Sequence, residues 1–343
     1  MERASTQNTK FMMHIFNSGL SLFCLAADQK SNSFKTFYPV IGNMSRVRRL
    51  IWPAIVSIFL ACNPLCVAQA AWQAAVTDTA RNTPDAEIVV IDLPSGHVMA
   101  SRRLPEAARR LATPGSTLKP IVLFGLLERG RWNAERQIAC SRQLRVAGRE
   151  LNCSHPKMPA FDAREALTWS CNTYFAAVAG SLDPRELRGL LEPTGLLGTT
   201  GLTESETVAR FREPRTADET KLALLGVDGI EVTPLELVRA YRWLGLEFAA
   251  HPEADATKVV SEGIRDSASF GMAGAAGLGG VAVEGKTGTA STIAGGRTHG
   301  WFAGLAPAQN PKVALVVYLP TGHGADAAAV AGEILRRSPL GKR

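Results

Sequence analysis

The sequence predicts an α+β fold in which both ends of one domain contribute strands to a single antiparallel, five-stranded sheet. Helices flank this sheet, and a helical subdomain is inserted between its two halves. Two observations predict this arrangement: strand-like segments occur near residues 87–101 and again after residue 281, and helical patterns dominate the region between them. Since no linker-like composition interrupts the chain after Pro84, residues 86–343 are predicted to form one domain.

The strands are predicted from β-branched and apolar runs. Residues 87–92 (EIVVID) and 97–101 (HVMAS) flank the turn residues 94–96 and are predicted to form a hairpin. Further strands are predicted over residues 281–285, 299–306 and 312–319.

A buried helix is predicted over residues 116–129, because this segment is apolar on nearly every face. Pro120 belongs in the first turn of a helix, so Ser116 is expected near the helix N-terminus. Trp169 and Trp301 are expected in the core. Further helices are predicted over residues 163–180, 183–191, 218–225, 234–246 and 325–336.

The composition is that of a globular protein, with 46% hydrophobic and 20% charged residues. The formal net charge is +7, but the basic residues are scattered and form no stripe with interleaved aromatic residues. Nucleic acid is therefore not a predicted partner. An anionic cell surface or wall polymer accounts for the charge equally well.

The N-terminal region predicts export. Residues 44–70 combine three arginines (Arg46, Arg48 and Arg49), a mostly apolar run over 50–67 and a small-x-small cleavage site at 68–70. This segment is interpreted as a signal peptide or, less favoured, as a membrane anchor through 50–67. The protein is accordingly expected in the periplasm or on the outer face of the cytoplasmic membrane.

The flanking segments are interpreted from that leader. Residues 1–43 are interpreted as an over-extended translation start, and residues 71–85 as a linker or short helix.

Three cysteines follow the leader. In an oxidising compartment Cys140 and Cys153 could form a disulfide, which would leave Cys171 unpaired. The alternative is a zinc site using Cys140, Cys153 and His155, but no fourth ligand lies at a typical sequence spacing. No metal and no cofactor is therefore predicted.

The first of three motifs is TPGSTLKP at residues 113–120, which places Ser116 and Lys119 on one face of a helix. A serine hydroxyl becomes a good nucleophile when a neighbouring base takes its proton. A buried lysine can be that base, because desolvation and nearby positive charge lower its pKa. Ser116 is the predicted nucleophile and Lys119 the predicted base, although this spacing alone is a weak signal because chance Ser-x-x-Lys pairs on a solvated surface are common.

The second motif is Ser170-Cys171-Asn172. Its hydroxyl and carboxamide could relay a proton and hold a substrate amide, although an isolated motif of this kind is more often a helix cap or turn.

The third motif is GKTGTA at residues 285–290. On a strand edge, Lys286 supplies positive charge, Thr287 and Thr289 supply hydroxyls, and Gly288 leaves room for a ligand backbone. The alternative is a phosphate-binding loop, since Gly280 stands at the required distance ahead. The β-branched residues between them and the sequence that follows disfavour that alternative.

In this order the three motifs resemble those of the penicillin-binding protein transpeptidase family, serine acyltransferases that share a fold with the serine β-lactamases. Other segments resemble the family too: 88–100 its first hairpin, 140–155 its short disulfide loop, 232–241 the helix ahead of the third motif and 299–307 the strand behind it. The resemblance covers residues 86–338 and implies a β-lactamase/transpeptidase-like fold.

The resemblance implies an activity on peptidoglycan stem peptides, and covalent binding of β-lactams. Ser116 would attack a D-Ala-D-Ala carbonyl and form an acyl-enzyme, with Lys119 as general base. Ser170 would pass a proton to the leaving amine, and Asn172 would bind the substrate and Lys119.

For the third motif the resemblance implies that Lys286 sets the electrostatics and assists the proton relay. Thr287 and Thr289 would bind the substrate carboxylate beside Gly288. The backbone N–H groups of Ser116 and Thr289 would form the oxyanion hole.

Several functions remain open within this resemblance. The leading one is a DD-transpeptidase or DD-carboxypeptidase. A β-lactamase or β-lactam sensor is the alternative, disfavoured because no Glu-x-x-Leu-Asn motif follows Ser170. A catalytically silent subunit of a wall-synthesis complex is a third. No glycosyltransferase or pedestal domain is recognised. A transpeptidase this small would need a cell-wall synthesis partner protein to reach its glycan, or the chain is a different member of the fold.

Overall fold

The computed structural model describes residues 64–291 and 297–341, and its central feature is one five-stranded sheet. The strands are β1 (Glu87–Asp92), β2 (Val98–Arg102), β9 (Glu284–Ser291), β10 (Thr298–Ala306) and β11 (Val313–Leu319). Their order is β2-β1-β11-β10-β9, and every pair is antiparallel. Both ends of the domain contribute strands, so the predicted fold class is confirmed.

The remaining elements lie between these strands or flank them. The helices are α1 (Pro64–Thr79), α2 (Leu104–Ala107), α3 (Lys119–Glu128), α4 (Ala163–Thr168), α5 (Asn172–Ala179), α6 (Glu186–Leu191), α7 (Ala217–Leu224), α8 (Pro234–Ala250), α9 (Asp255–Ser269) and α10 (Gly324–Arg337). Short 3₁₀ helices cover Gly115–Leu118, Glu192–Thr194 and Gly274–Gly279. Three small strand pairs are β3 (Ile138–Ala139) with β6 (Ala160–Phe161), β4 (Arg145–Val146) with β5 (Arg149–Glu150), and β7 (Arg210–Phe211) with β8 (Ile230–Glu231).

The sheet is buried on both faces. Every residue of β11 is buried, which explains why its sequence is a continuous apolar run rather than an alternating one. Helix α8 packs on β1, β10 and β11, and helix α10 packs on β9, β10 and β11. The central strands therefore form a rigid support for the edge strand β9.

One predicted helix is wrong in a way that matters for the site. Residues 163–180 form two helices rather than one, because Ser170 has a left-handed backbone (φ 56°) and Cys171 is extended. Helix α4 begins with a capping box between Asp162 and Glu165, and α5 begins anew at Asn172. The second motif therefore lies at a helix start.

The segment interpreted as a linker or short helix is helical over most of its length. Residues 71–79 lie within α1, and Trp72 and Val76 are buried. The side-chain amide of Gln73 donates to the carbonyl of Ser101 and accepts from its N–H, each at 3.0 Å. Gln73 therefore pairs with the open edge of β2, a position where unpaired backbone groups need a partner.

The strand that carries the third motif, and a helix that packs against it, differ from the prediction. The predicted strand 281–285 is shifted toward the C-terminus, and β9 carries the whole GKTGTA motif. Helix α9 is not among the predicted helices. It packs against α4 and β9, so it joins the second and third motifs on one side of the domain.

The predicted leader lies mostly outside the described residues, which begin at residue 64. This applies to residues 1–43, to the three arginines and to most of the 50–67 run. Among the residues that the structure describes, helices are too short or too polar to cross a bilayer.

Strand β9 lies directly against the 3₁₀ turn Gly115–Leu118. A Cβ atom on Gly288 would lie 2.4 Å from the carbonyl oxygen of Pro114 and 3.1 Å from Cγ2 of Thr117. Gly115 has φ 57°, and its Cβ would lie 3.1 Å from the backbone of Thr289. Gly288 therefore makes room for the chain's own backbone, whereas the sequence interpretation assigns that room to a ligand.

Replacing Gly288 with alanine is expected to lower the free energy of unfolding by about 2 kcal/mol, because the new methyl group meets fixed backbone. Urea unfolding followed by circular dichroism measures the change. Gly198→Ala is the matched control, since its Cβ meets nothing within 4 Å. Equal stability of the two variants would contradict the close contact between β9 and the turn.

Candidate active site

Ser116 lies in the 3₁₀ turn that leads directly into α3. The backbone N–H of Lys119 donates to the carbonyl of Ser116, and residues three apart in such a turn are eclipsed on one side. Ser116 is half-buried, whereas the other residues from Ala112 to Pro120 are buried. The turn therefore leaves Ser116 as the accessible residue of an otherwise enclosed segment.

The turn is held in place by hydrogen bonds from two neighbouring elements. On β10, Nε1 of Trp301 donates to the carbonyl of Thr113 at 2.9 Å, and Nε2 of His299 lies 2.8 Å from the same oxygen. On α8, the hydroxyl of Tyr241 donates to the carbonyl of Thr117 at 3.0 Å. All three side chains are buried, so they fix the turn relative to the sheet.

The hydroxyl of Ser170 is the meeting point of two lysines. Nζ of Lys119 lies 3.2 Å from this oxygen, and Nζ of Lys286 lies 2.8 Å from it. Lys119 comes from α3 and Lys286 from β9, and both side chains are fully buried. The structure therefore brings one residue of each predicted motif to a single oxygen atom.

Burial sets the ionisation of Lys119. Its amine also donates to the carbonyl of Ser170 at 2.9 Å and to Oδ1 of Asn172 at 2.7 Å. These acceptors are neutral, so they do not replace the lost hydration of an ammonium group. Desolvation lowers the pKa of Lys119 to about 7, against a weaker opposing effect of Cys171 and Cys153.

Lys286 is affected in the same direction. Desolvation lowers its pKa well below the ordinary lysine value, and the neighbouring positive charge of Lys119 lowers it further. Its amine also donates to the carbonyl of Thr287 at 3.2 Å. At neutral pH the two amines together therefore carry fewer protons than two solvated lysines would.

The break between α4 and α5 aims the second motif at this point. Ser170 has a left-handed backbone, a strained conformation for a residue with a side chain. Asn172 then starts α5, and its Nδ2 donates to the carbonyl of Leu151 at 3.1 Å. That bond directs Oδ1 of Asn172 toward Lys119.

The two threonines of the third motif differ in their exposure to solvent. Thr289 is exposed, and its hydroxyl accepts from the N–H of Gly324 at 2.8 Å. Thr287 is buried, and its hydroxyl lies 3.5 Å from the carbonyl of Met272. Of the two predicted carboxylate ligands, only Thr289 is open to solvent.

The amide nitrogens expected to form an oxyanion hole lie at the junction of β9 and the turn. A Cβ on Gly288 would be 3.4 Å from the nitrogen of Ser116, and one on Gly115 would be 3.1 Å from the nitrogen of Thr289. Both N–H groups therefore border the contact between the strand and the turn.

The third motif does not have the structure of a phosphate-binding loop. Residues 285–287 lie within β9, whereas a phosphate-binding loop joins a strand to a helix N-terminus.

An aromatic pair beside the second motif is not among the site residues predicted from the sequence. Trp169 is half-buried rather than in the core, and its ring lies 6.2 Å from that of Phe270. Phe270 is 61% exposed. Trp301, in contrast, is fully buried as expected. The position of Trp169 next to Ser170 is the one sequence signal that points to this apolar surface.

The predicted disulfide is not formed in the structure. Cys140 and Cys153 are free thiols whose Sγ atoms lie 3.6 Å apart. Their pairing therefore stays a prediction.

The chain is similar to known proteins over most of the domain. The family model of the penicillin binding protein transpeptidase domain matches residues 86–338. The probable peptidoglycan D,D-transpeptidase PenA of Neisseria flavescens is 25% identical over 273 residues, which are 70% of this chain and 66% of that protein. The protein of the same name from Neisseria gonorrhoeae is 24% identical over 71% of this chain and 49% of its own length. The chain thus spans between half and two thirds of these relatives.

Solved structures show the same fold. The transpeptidase domain of Burkholderia pseudomallei penicillin-binding protein 3, in its apo form, has a TM-score of 0.69 at 20% identity, covering 79% of this chain and 92% of that one. Pseudomonas aeruginosa PBP2 in complex with WCK 5153 has a TM-score of 0.66 at 19% identity, covering 77% and 74%. Since the family model matches well over half of the sequence and the fold agrees, the chain belongs to the penicillin-binding protein transpeptidase domain family.

Proposed function

We propose that this protein is a serine D-Ala-D-Ala acyltransferase, a peptidoglycan DD-transpeptidase or DD-carboxypeptidase that also binds penicillin covalently. The observation that carries the proposal is the meeting of two buried amines, Lys119 and Lys286, at the hydroxyl of Ser170. The names of the PenA relatives support the transpeptidase reaction.

In the first half of the reaction, Oγ of Ser116 attacks the carbonyl carbon of the penultimate D-Ala. The serine proton passes to the neutral amine of Lys119, and the backbone N–H groups of Ser116 and Thr289 stabilise the oxyanion. The bond to the terminal D-Ala then breaks, and its amine takes up a proton relayed through the Ser170 hydroxyl.

In the second half, an acceptor attacks the acyl-enzyme ester. A peptide amine gives a cross-link, and water gives a trimmed peptide. Lys119 takes the proton of the acceptor, and the Ser116 oxygen leaves and regains a proton from the same relay. Thr289, with its exposed hydroxyl, is assigned to the substrate carboxylate, supported by Thr287.

The expected location and partners follow from this reaction. Peptidoglycan lies outside the cytoplasm, so the proposal includes export through the 44–70 leader. A cell-wall synthesis partner is proposed to bring the domain to its glycan strand.

A fluorescent penicillin is expected to label the full chain. The label should persist for hours, because no Glu-x-x-Leu-Asn motif follows Ser170 to supply a base for rapid hydrolysis of the penicilloyl-enzyme. Ser116→Ala should abolish labelling, since the bond to the penicilloyl group forms at Oγ of Ser116. Gel fluorescence against time measures both.

Ser261→Ala is the matched control, since Ser261 lies on α9 outside the site, and it should label like the wild type. A label retained by Ser116→Ala would contradict the assignment of the nucleophile. Rapid turnover of penicillin by the wild type would favour the β-lactamase alternative, and an unlabelled wild type would favour a silent subunit.

The rate of acylation by penicillin is expected to rise with pH through about 7 and then level off, because burial lowers the pKa of Lys119 to that value and only the neutral amine accepts a proton. Below this value the rate should fall about tenfold per pH unit. Stopped-flow fluorescence at a series of pH values measures the profile.

Lys119→Arg should lower the rate by about 10²- to 10⁴-fold and remove the inflection near neutral pH, since a guanidinium stays protonated. Lys258→Arg, on the surface of α9, is the control and should keep the wild-type profile. Circular dichroism at each pH is needed, because a lowered lysine pKa also makes stability fall as pH falls from 10.5 toward 7. An inflection retained in Lys119→Arg would contradict the role of Lys119.

A further inference from the structure

A second cluster of reactive side chains lies behind the second motif. Cys140, Cys153, His155 and Cys171 each offer one donor atom, and these four atoms all lie within 4.8 Å of one another. Cys140 follows β3, Cys153 and His155 precede β6, and Cys171 is the N-cap of α5. The proposed reaction uses none of the four.

Three distances in this cluster are close to the edges of a tetrahedron around a metal ion, and all four donor atoms lie within 4.8 Å of one another. The Sγ atoms of Cys140 and Cys153 lie 3.6 Å apart, and those of Cys153 and Cys171 lie 4.0 Å apart. Nε2 of His155 lies 3.5 Å from Sγ of Cys140. With bonds of about 2.3 Å to sulfur and about 2.0 Å to nitrogen, tetrahedral Zn²⁺ requires edges of about 3.8 Å and 3.5 Å.

The surroundings orient these donor atoms. Nδ1 of His155 lies 2.7 Å from the carbonyl of Pro156, and because a carbonyl only accepts, Nδ1 carries the proton. The lone pair of His155 is then on Nε2, which faces the sulfurs. A backbone carbonyl behind the ligating ring is the usual outer partner of a metal-bound histidine.

The sulfurs also receive hydrogen bonds suited to thiolates. The N–H of Arg142 donates to Sγ of Cys140 at 3.4 Å, and the N–H of Tyr174 donates to Sγ of Cys171 at 3.5 Å. The hydroxyl of Thr173 accepts from Sγ of Cys140 at 3.5 Å and lies 3.7 Å from Sγ of Cys153. The two N–H donors would stabilise the negative charge that metal-bound sulfur carries.

We propose that Cys140, Cys153, Cys171 and Nε2 of His155 bind one Zn²⁺ ion in a closed, structural Cys₃His site. Cys153, His155 and Cys171 are 6%, 1% and 0% exposed and Cys140 is half-buried, so four protein ligands would fill a mostly buried coordination sphere. Soft thiolates with one imidazole in tetrahedral geometry select zinc among the common divalent ions.

A disulfide accounts for the cluster less well. Cys153 lies near both Cys140 and Cys171, so either pairing leaves one thiol over, whereas a metal uses all three. The 3.6 Å between Cys140 and Cys153 is also far from the bond length of about 2.05 Å. The fourth ligand cannot be recognised from sequence spacing, because Cys171 is distant from His155 in the sequence and close to it only in the folded chain.

The site would hold the second motif in place. Cys171 stands between Ser170 and Asn172, and the other three ligands come from the 138–161 region. A metal bound here would fix the backbone that directs the Ser170 hydroxyl and Asn172 at Lys119. These four are therefore positioning residues that touch no substrate in the proposed reaction.

The direct test is the metal content of the full chain, purified without a histidine tag or chelator and under reducing conditions. Inductively coupled plasma mass spectrometry is expected to find one zinc ion per chain. Replacement by Co²⁺ should give intense thiolate-to-cobalt absorption in the near ultraviolet and the visible bands of a tetrahedral ion. This measurement needs no variant and so does not depend on whether one folds.

Variants then assign the ligands. Cys140→Ser and His155→Ala should each lower zinc affinity by about tenfold or more. His251→Ala lies outside the cluster and should keep the full zinc content. Circular dichroism establishes that the variants compared are folded.

Three results would overturn the proposal. One is a wild-type chain that retains no metal after incubation with Zn²⁺ under reducing conditions. Another is bound metal whose cobalt form lacks thiolate absorption. The third is a Cys140–Cys153 disulfide found by mass spectrometry in the protein isolated from its native compartment.

Discussion

The architecture depends on keeping two buried lysine amines against one serine hydroxyl. Lys119 and Lys286 reach Ser170 from different elements, and their neutral acceptors do not offset the cost of losing water around two positive charges. The rest of the domain supplies the rigidity that this requires. The buried sheet fixes β9, the turn fixes α3, and the break between α4 and α5 fixes Ser170. Lowered lysine pKa values are the chemical consequence, and the proposed acyl transfer needs a base that is active near neutral pH.

The sheet could be predicted from the sequence because its signal is local. β1 has the predicted bounds, and the starts of β10 and β11 lie within one residue of the prediction, since their β-branched and apolar runs end at turn residues. The helix break at Ser170 could not be predicted in this way. Helical patterns stand on both sides of residues 170–173, and Ser170-Cys171-Asn172 gives only the weak signal of a helix cap or turn. The left-handed backbone at Ser170 does not follow from that signal. Helix α9 also begins without a side-chain cap at Ala254, which removes the usual start signal.

The candidate site could be predicted from the sequence as far as its residues lie in short motifs. Ser116 and Lys119 share a turn, so their proximity follows from spacing alone, and the family resemblance links them to the other two motifs. The contact of Gly288 with Pro114 and the cysteine cluster do not follow from spacing. Cys171 joins Cys140, Cys153 and His155 only after α5 packs against the small strands. A sequence search for a fourth zinc ligand near His155 therefore looks in the wrong place.

The central claim concerns the ionisation of two lysines, and ¹³C NMR of the full chain labelled at the lysine ε-carbons measures it most directly. Spectra across a pH series, with the Lys119→Arg and Lys286→Arg variants for assignment, give each pKa separately. The account predicts that Lys119 titrates near 7 and that Lys286 titrates well below the ordinary lysine value. Titration of both lysines in the ordinary range, at about 10.4, would show that the two amines are solvated and would contradict the account.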